Sequence, residues 1–286
     1  MEVDGEQARV AATVERLLGP GRDLTPLGRG TDHAAYAVDT DLVARVALGG
    51  GPDPAIAREA ALLGLLSEVS PLPVPEVIAA APEAGVIVVR RLPGTSLLDE
   101  PGRDAEAVVD QLAPFLDALH TVPASAATEV VDVGDDPLEE HLAGAQELLP
   151  SLADVLGSRH RPVAAGLADD PPPGPPAVLL GHGDLGAEHL LTAADRITLT
   201  GVIDWSDAGL IDPAHDVGRI LRDLGPAAAQ RLVAALPTAD PDLLARAVLH
   251  ARCALVEDLA FGLETGDRRY TDAALAAIDR TFSAPP

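Results

Sequence analysis

At Leu92-Pro93-Gly94 the apolar pattern of the chain changes period. Before this point, short apolar runs at Leu24–Leu27, Ala34–Val38, Leu42–Leu48, Val77–Ala81 and Val86–Val89 are separated by Gly, Asp and Pro. That is the pattern of a small antiparallel meander. Two helices accompany it. One spans residues 6–18, with Val10, Val14, Leu17 and Leu18 on one face and Gly19-Pro20-Gly21 as its stop; the other spans 55–67. After the change, helical spacing dominates over 104–120, 137–149, 151–167, 213–224, 226–235, 241–264 and 270–282. Strands segregated from helices in this way specify an α+β chain. We therefore expect two lobes, a small β-rich one over residues 1–92 and a larger, mostly helical one over 93–286. One stretch breaks the helical pattern: residues 177–204 read as strand, polar segment, strand.

Composition narrows the chemistry. Aromatics are 2% of the 286 residues, so the core must be built from Ala, Leu and Val. Twenty basic residues against 45 acidic ones leave a net charge of −25. Such a surface repels nucleic acid and anionic membrane, so neither is an expected partner. All the basic residues are Arg; without lysine, Schiff-base and lysine-nucleophile mechanisms are excluded. The single cysteine, Cys253, excludes an intramolecular disulfide and a Cys-rich zinc site, and its apolar helical context predicts a buried, inert thiol. An acidic N-terminus without a long apolar run, and the lack of any run of about 18 apolar residues, predict a cytoplasmic protein.

The polar insert reads Gly181-His182-Gly183-Asp184-Leu185-Gly186-Ala187-Glu188-His189-Leu190-Leu191, and twenty residues after Asp184 comes Val202-Ile203-Asp204-Trp205. Taken singly, these are a turn and a strand end. Taken together, two carboxylates at the ends of neighbouring strands suit phosphoryl transfer. One can orient and deprotonate an attacking hydroxyl, and the other can hold Mg²⁺ against nucleotide phosphates. The protein-kinase catalytic loop places a metal ligand five residues after its Asp, where this chain has His189. Asp204 matches the second metal Asp of kinases.

In these motifs, their order and their spacing, the chain resembles the aminoglycoside phosphotransferase family, relatives of the protein kinases. The resemblance covers nearly the whole chain and implies a bilobal, protein-kinase-like fold. It implies Asp184 as catalytic base, His189 and Asp204 as Mg²⁺ ligands, and ATP or GTP as phosphate donor. Gly28, Gly30 and Thr31 stand where the family has its nucleotide loop; a plain hairpin turn accounts for the same residues. Arg45 stands at the position of the kinase strand lysine, with Glu59 on the next helix as its partner. A strand-surface Arg and a solvated Glu are the alternative. Arg91 and Leu92 fall in the hinge, whose backbone meets the nucleotide base.

His189 replaces the Asn of most members, which is similar to the aminoglycoside 2″- and macrolide phosphotransferase branches. The acceptor implied is a small-molecule hydroxyl on an antibiotic, an aminoglycoside or a macrolide. Asp207, Asp223 and Glu257 are the acids that a cationic acceptor would meet. A metabolic kinase for a sugar or amino alcohol, or a catalytically idle nucleotide-binding module, are the other readings. His120, Asp212, Asp216 and Trp205 match the family as structural residues, with the two acids expected to order the segment after Asp204.

Overall fold

The computed structural model describes residues 2–30, 33–99, 104–134, 138–165, 167 and 171–283. The chain divides into two compact units, Met1–Pro93 with Gly201–Ser206, and Gly94–Thr200 with Asp207–Pro286. A linear division at residues 92 and 93 leaves out the return of Gly201–Ser206 to the first unit.

The first unit contains α1 (Glu2–Leu18), β1 (Leu24–Arg29), β2 (His33–Val38), β3 (Leu42–Ala47), α2 (Pro54–Val69), β4 (Val77–Ala81) and β5 (Val86–Arg90). The strands form one sheet in the order β1-β2-β3-β5-β4 with antiparallel pairing throughout. Pro26 cannot donate to a ladder, and its strand sits at the edge, with a register shift between Pro26 and Gly28. Period-2 alternation decides the faces of β3. Leu42, Ala44 and Val46 are buried and pack with Val10 and Val14 of α1. Arg45 projects from the opposite face, opposite its cross-strand partner Ile87. There α2 begins with Asp53, whose side chain accepts from the Ala55 N–H, followed by Pro54 at its first position.

The second unit contains β6 (Thr95–Ser96), α3 (Ala105–His120), α4 (Ala124–Ala127), α5 (Leu138–Leu148), α6 (Ala153–Ala165), β7 (Leu179–Gly181) and β8 (Leu190–Thr192). It continues with β10 (Gly209–Ile211), α7 (Pro213–Leu224), α8 (Pro226–Ala235), α9 (Leu243–Thr265) and α10 (Arg268–Ser283), while β9 (Leu199–Val202) runs from this unit into the first. One core of this unit joins α5, α6, α9 and α10 through residues such as Leu142, Leu156, Leu249, Val256, Leu259 and Phe282. The helix expected over 151–167 is instead interrupted at Gly157 (φ 65°, ψ 177°). Residues 177–204 hold three strands where two are expected, β8 falling within the polar segment: β7 pairs with β10, and β8 lies between β6 and β9. The segment carrying Asp184 therefore bridges two small sheets. Among the described residues no helix is long and apolar enough to cross a membrane.

Candidate active site

In the first unit the sheet and α2 bring three charged groups together. Arg45 Nη2 donates to Glu59 Oε2 at 2.6 Å and Arg45 Nη1 to Asp204 Oδ1 at 2.5 Å. Glu59 is the more enclosed acid, with a side chain 9% exposed against 41% for Asp204. Burial pushes the Glu59 carboxyl up to about 7; Arg45 pulls the other way and the Asp204 charge adds to the rise. Asp204 has a left-handed backbone, φ 60°, a costly state for a residue with a Cβ. Its neighbours hold it there. Ser206 donates to Asp204 Oδ1 at 2.9 Å, and the buried Trp205 donates through Nε1 to the Val202 carbonyl at 3.2 Å. Upstream, the Val202 N–H donates to the Pro73 carbonyl at 3.0 Å, and the Leu92 side chain occupies the space that a Cβ at Gly201 would need. Trp205 is thus the packing anchor expected of it.

Other positions named from the sequence lie along the same unit. The Gly30 N–H donates to the His33 carbonyl at 2.8 Å, closing the β1–β2 turn, and a side chain at Gly28 would meet nothing within 4 Å. Thr31 lies outside the described residues. Arg91 is exposed, with its N–H donating to the Asp41 carbonyl at 2.8 Å, and Leu92 is half-buried.

In the second unit the loop after β7 is gripped by acids of α7. Buried Asp216 accepts from the His182 N–H at 2.8 Å and the Gly183 N–H at 3.0 Å, one with each carboxylate oxygen. Gly183 has φ 81°, and a Cβ there would collide with the Asp207 carbonyl, so only glycine fits the turn. Asp223 accepts from the Ala187 N–H at 2.7 Å. Within the loop, the Asp184 N–H donates to His182 Nδ1 at 3.2 Å, and His189 Nδ1 lies 2.8 Å from the Asp184 carbonyl oxygen. A carbonyl only accepts, so His189 Nδ1 carries a proton, and in the neutral ring Nε2 carries the lone pair. A histidine oriented in this way has the form of a metal-ligating one. Asp184, Glu188 and His189 each offer a ligand atom within 4.8 Å of the others.

Arg219 is the partner that the linear motif does not announce. Its Nε lies 3.2 Å from Asp184 Oδ1 and its Nη2 lies 3.9 Å from Glu257 Oε2. Burial opposes the Asp184 charge, yet Arg219, followed by His189, Arg222 and His182, holds the carboxyl below its ordinary range. Asp184 is therefore ionised at neutral pH. Burial pushes Asp216 up to about 6 against the two N–H bonds it accepts, and the Asp184 charge adds to the rise. Behind the loop, Arg222 meets Glu188 at 3.3 Å and Asp223 and Asp258 at 2.7 Å each.

These contacts revise several expectations. Asp223, read as an acid facing an acceptor, is turned inward: its carboxylate is spent on the loop backbone and Arg222. Asp207 is exposed. Glu257 is partly exposed, beside Arg219 and 4.0 Å from His141 Nδ1. Asp216 orders the Asp184 loop rather than the segment after Asp204, and Asp212 caps α7 and pairs with buried Arg246 at 2.6 Å. Buried His120 ends α3 with Nδ1 2.9 Å from Thr238 Oγ1. Cys253 is the buried thiol expected, pushed by burial up to about 12. One signal for the missed residues lay in α7. Asp216, Arg219 and Asp223 recur at i, i+3 and i+7, a charged stripe on one face of a helix that is otherwise largely buried.

The sequence profile of the phosphotransferase enzyme family matches residues 23–250, which include every residue named in this site except Cys253, Glu257 and Asp258. The chain belongs to that family. Among curated family proteins, it is 32% identical over 150 residues to viomycin phosphotransferase of Streptomyces vinaceus, covering 48% of this chain and 50% of that one. It is 29% identical over 156 residues to an aminoglycoside 3′-phosphotransferase of Escherichia coli, covering 47% and 51%. The matches span about half the length of these relatives. Among solved structures, the GDP and kanamycin complex of an APH(2″) enzyme superposes with TM-score 0.70 at 22% identity, covering 95% of this chain and 97% of that one. Macrolide 2′-phosphotransferase type I superposes with TM-score 0.64 at 23% identity, covering 96% and 97%. Likeness at this level of identity establishes the fold, the α+β protein-kinase-like one expected from the sequence.

Proposed function

We propose that this member of the family transfers the γ-phosphoryl group of ATP or GTP to a hydroxyl of a small-molecule antibiotic. The observation that carries the reading is the state of Asp184: ionised, fixed through a backbone that Asp216 and Asp223 grip, and paired with Arg219. A carboxylate held in this way can take the proton of an acceptor hydroxyl as its oxygen forms a bond to the γ-phosphorus and the bond to the β,γ-bridging oxygen breaks, releasing the nucleoside diphosphate. Arg45, which Glu59 orients, binds phosphate. Gly28 and Gly30, without a Cβ, let the nucleotide phosphates approach the backbone, Thr31 is the third residue assigned to them, and Arg91 and Leu92 border the base.

Mg²⁺ would be held by Asp204, an oxygen donor that suits it, and by the His189 Nε2 lone pair, a less usual donor for this ion. When bound, it supplies positive charge to the phosphates. The acceptor is a cationic or neutral antibiotic of the kind named for the relatives, kanamycin, viomycin or a macrolide, and Asp207 and Glu257 are the acids left to meet a cationic one. Neither nucleic acid nor membrane is a partner, in keeping with the net charge of −25, and the nucleotide donor puts the reaction in the cytoplasm.

The test is a phosphorylation screen with ATP and GTP over kanamycin, hygromycin B, viomycin and a macrolide, read as nucleoside diphosphate release and a phosphorylated product. Asp184→Asn should fold and bind nucleotide as the wild type does while losing at least about 10²-fold in turnover. Equal turnover removes Asp184 from the chemistry. Transfer only to sugars or amino alcohols assigns a metabolic kinase, and nucleotide binding with no transfer to any acceptor assigns the idle module.

A further inference from the structure

Inside the helical unit, on the far side of Arg219 and Glu257 from Asp184, α5, α7 and α9 each bring one histidine to a common point: His141, His215 and His250. Their ring centroids are 4.9 Å apart for His141–His215, 5.3 Å for His141–His250 and 5.1 Å for His215–His250. The rings are tilted by 53°, 75° and 72°, so they surround a point rather than stack. Each offers a ring nitrogen within 4.8 Å of the other two. His250 is 4% exposed, and both of its nitrogens, together with His215 Nδ1, are buried without a hydrogen-bond partner. Buried imidazole nitrogens are ordinarily bonded, so unpartnered nitrogens converging from two helices need an explanation.

We propose that His141, His215 and His250 form a binding site for a divalent first-row transition ion of the Zn²⁺ class. A tetrahedral ion with metal–nitrogen bonds of about 2.0–2.1 Å places the centroids of three ligating imidazoles roughly 5 Å apart, which is the spacing found. The donor set selects such an ion over Mg²⁺, which takes oxygen. The surrounding charge accommodates a dication. Glu257 Oε1 lies 4.0 Å from His141 Nδ1, and two arginines act on the cluster, both already paired with acids: Arg219 with Asp184 and Glu257, and Arg246 with Asp212 and Asp240. Three imidazoles leave a fourth coordination position, and Glu257 is the adjacent oxygen donor. Burial holds His215 well below its ordinary range and His250 down to about 3, so both rings are neutral, the form that ligates.

The test uses the full chain, free of any affinity tag and stripped with a chelator. Titration with Co²⁺ should give visible absorption of tetrahedral intensity that saturates at one ion per chain and is displaced by Zn²⁺ but not by excess Mg²⁺. Zn²⁺ should raise the unfolding temperature. His141→Gln and His250→Gln should lose the absorption and the thermal shift, whereas His189→Asn should keep both, which separates this site from the Asp184, Glu188 and His189 group. Should His250→Gln fail to fold, His141→Gln, at a half-buried position, decides alone. Wild type without Co²⁺ or Zn²⁺ binding, or His141→Gln binding as wild type does, overturns the proposal. None of these readouts involves phosphoryl transfer, so this site and the proposed function stand or fall separately.

Discussion

The two units hold their key carboxylates by different means. In the first, Asp204 is held through its side chain by the Arg45 guanidinium, shared with Glu59, and by the Ser206 hydroxyl. In the second, Asp184 is held through its backbone, because Asp216 and Asp223 accept the N–H groups of His182, Gly183 and Ala187 on either side of it. The first arrangement is a balance of one cation against two acids, with Asp204 41% exposed, so it responds to charge. The second is a set of buried and partly buried hydrogen bonds to backbone, so it responds as part of the fold. Disturbing the first should alter binding, and disturbing the second should alter stability along with rate.

The largest effect is expected at Asp216. Asp216→Ala orphans one buried and one partly buried N–H group at a cost of roughly 1–3 kcal/mol each, so urea unfolding should show a loss of about 2–6 kcal/mol. Turnover should fall with it, because the loop that aims Asp184 loses its anchor. A variant with wild-type stability would erase the distinction between the units.

Arg45→Ala comes next, and it should separate binding from folding. The lost charge-assisted bonds to phosphate are worth about 1.5–3 kcal/mol, a loss of roughly 10-fold or more in nucleotide affinity by calorimetry. Folding should suffer less, because Glu59, already pushed up to about 7, can take a proton once its partner is gone. Arg45→Lys should recover part of the affinity, as a point charge without the planar fork. Unchanged affinity would mean that this cluster serves the fold alone.

The smallest effect is the pH dependence of that cluster. The folded Glu59 carboxyl holds its proton up to about 7, whereas in the unfolded chain it releases it near 4.5. Between these values the folded state binds the extra proton, so raising the pH across this window favours unfolding. Wild type should lose stability relative to Glu59→Gln between pH 5 and 8, on the order of 1 kcal/mol. Parallel curves would mean that Arg45 keeps Glu59 ionised throughout.

Much of this was legible in the linear chain. The turn signals and period-2 runs specified the sheet, the alternation in β3 turned Arg45 away from the α1 face, and the five-residue step from Asp184 to His189 marked the polar loop. The grouping of acids was not legible. Asp223 and Asp207 are chemically alike, and nothing in their immediate neighbours says that one is spent inside on a backbone N–H while the other is exposed. Arg219 was hidden in the same way, although its spacing from Asp216 on α7 put both on one stripe.

Local patterning determined which elements form and which residues share a face, because side-chain period and turn chemistry act over a few residues. Tertiary structure alone decided which of the 45 acids meet which of the twenty arginines. It also decided that Gly201–Ser206 returns to the first unit with Asp204, and that His141, His215 and His250 meet at one point. A charge or an imidazole is indifferent to sequence distance. Its partner and its state of ionisation are set by what burial brings within a few ångströms, and in this chain that depends on how α5, α7 and α9 pack.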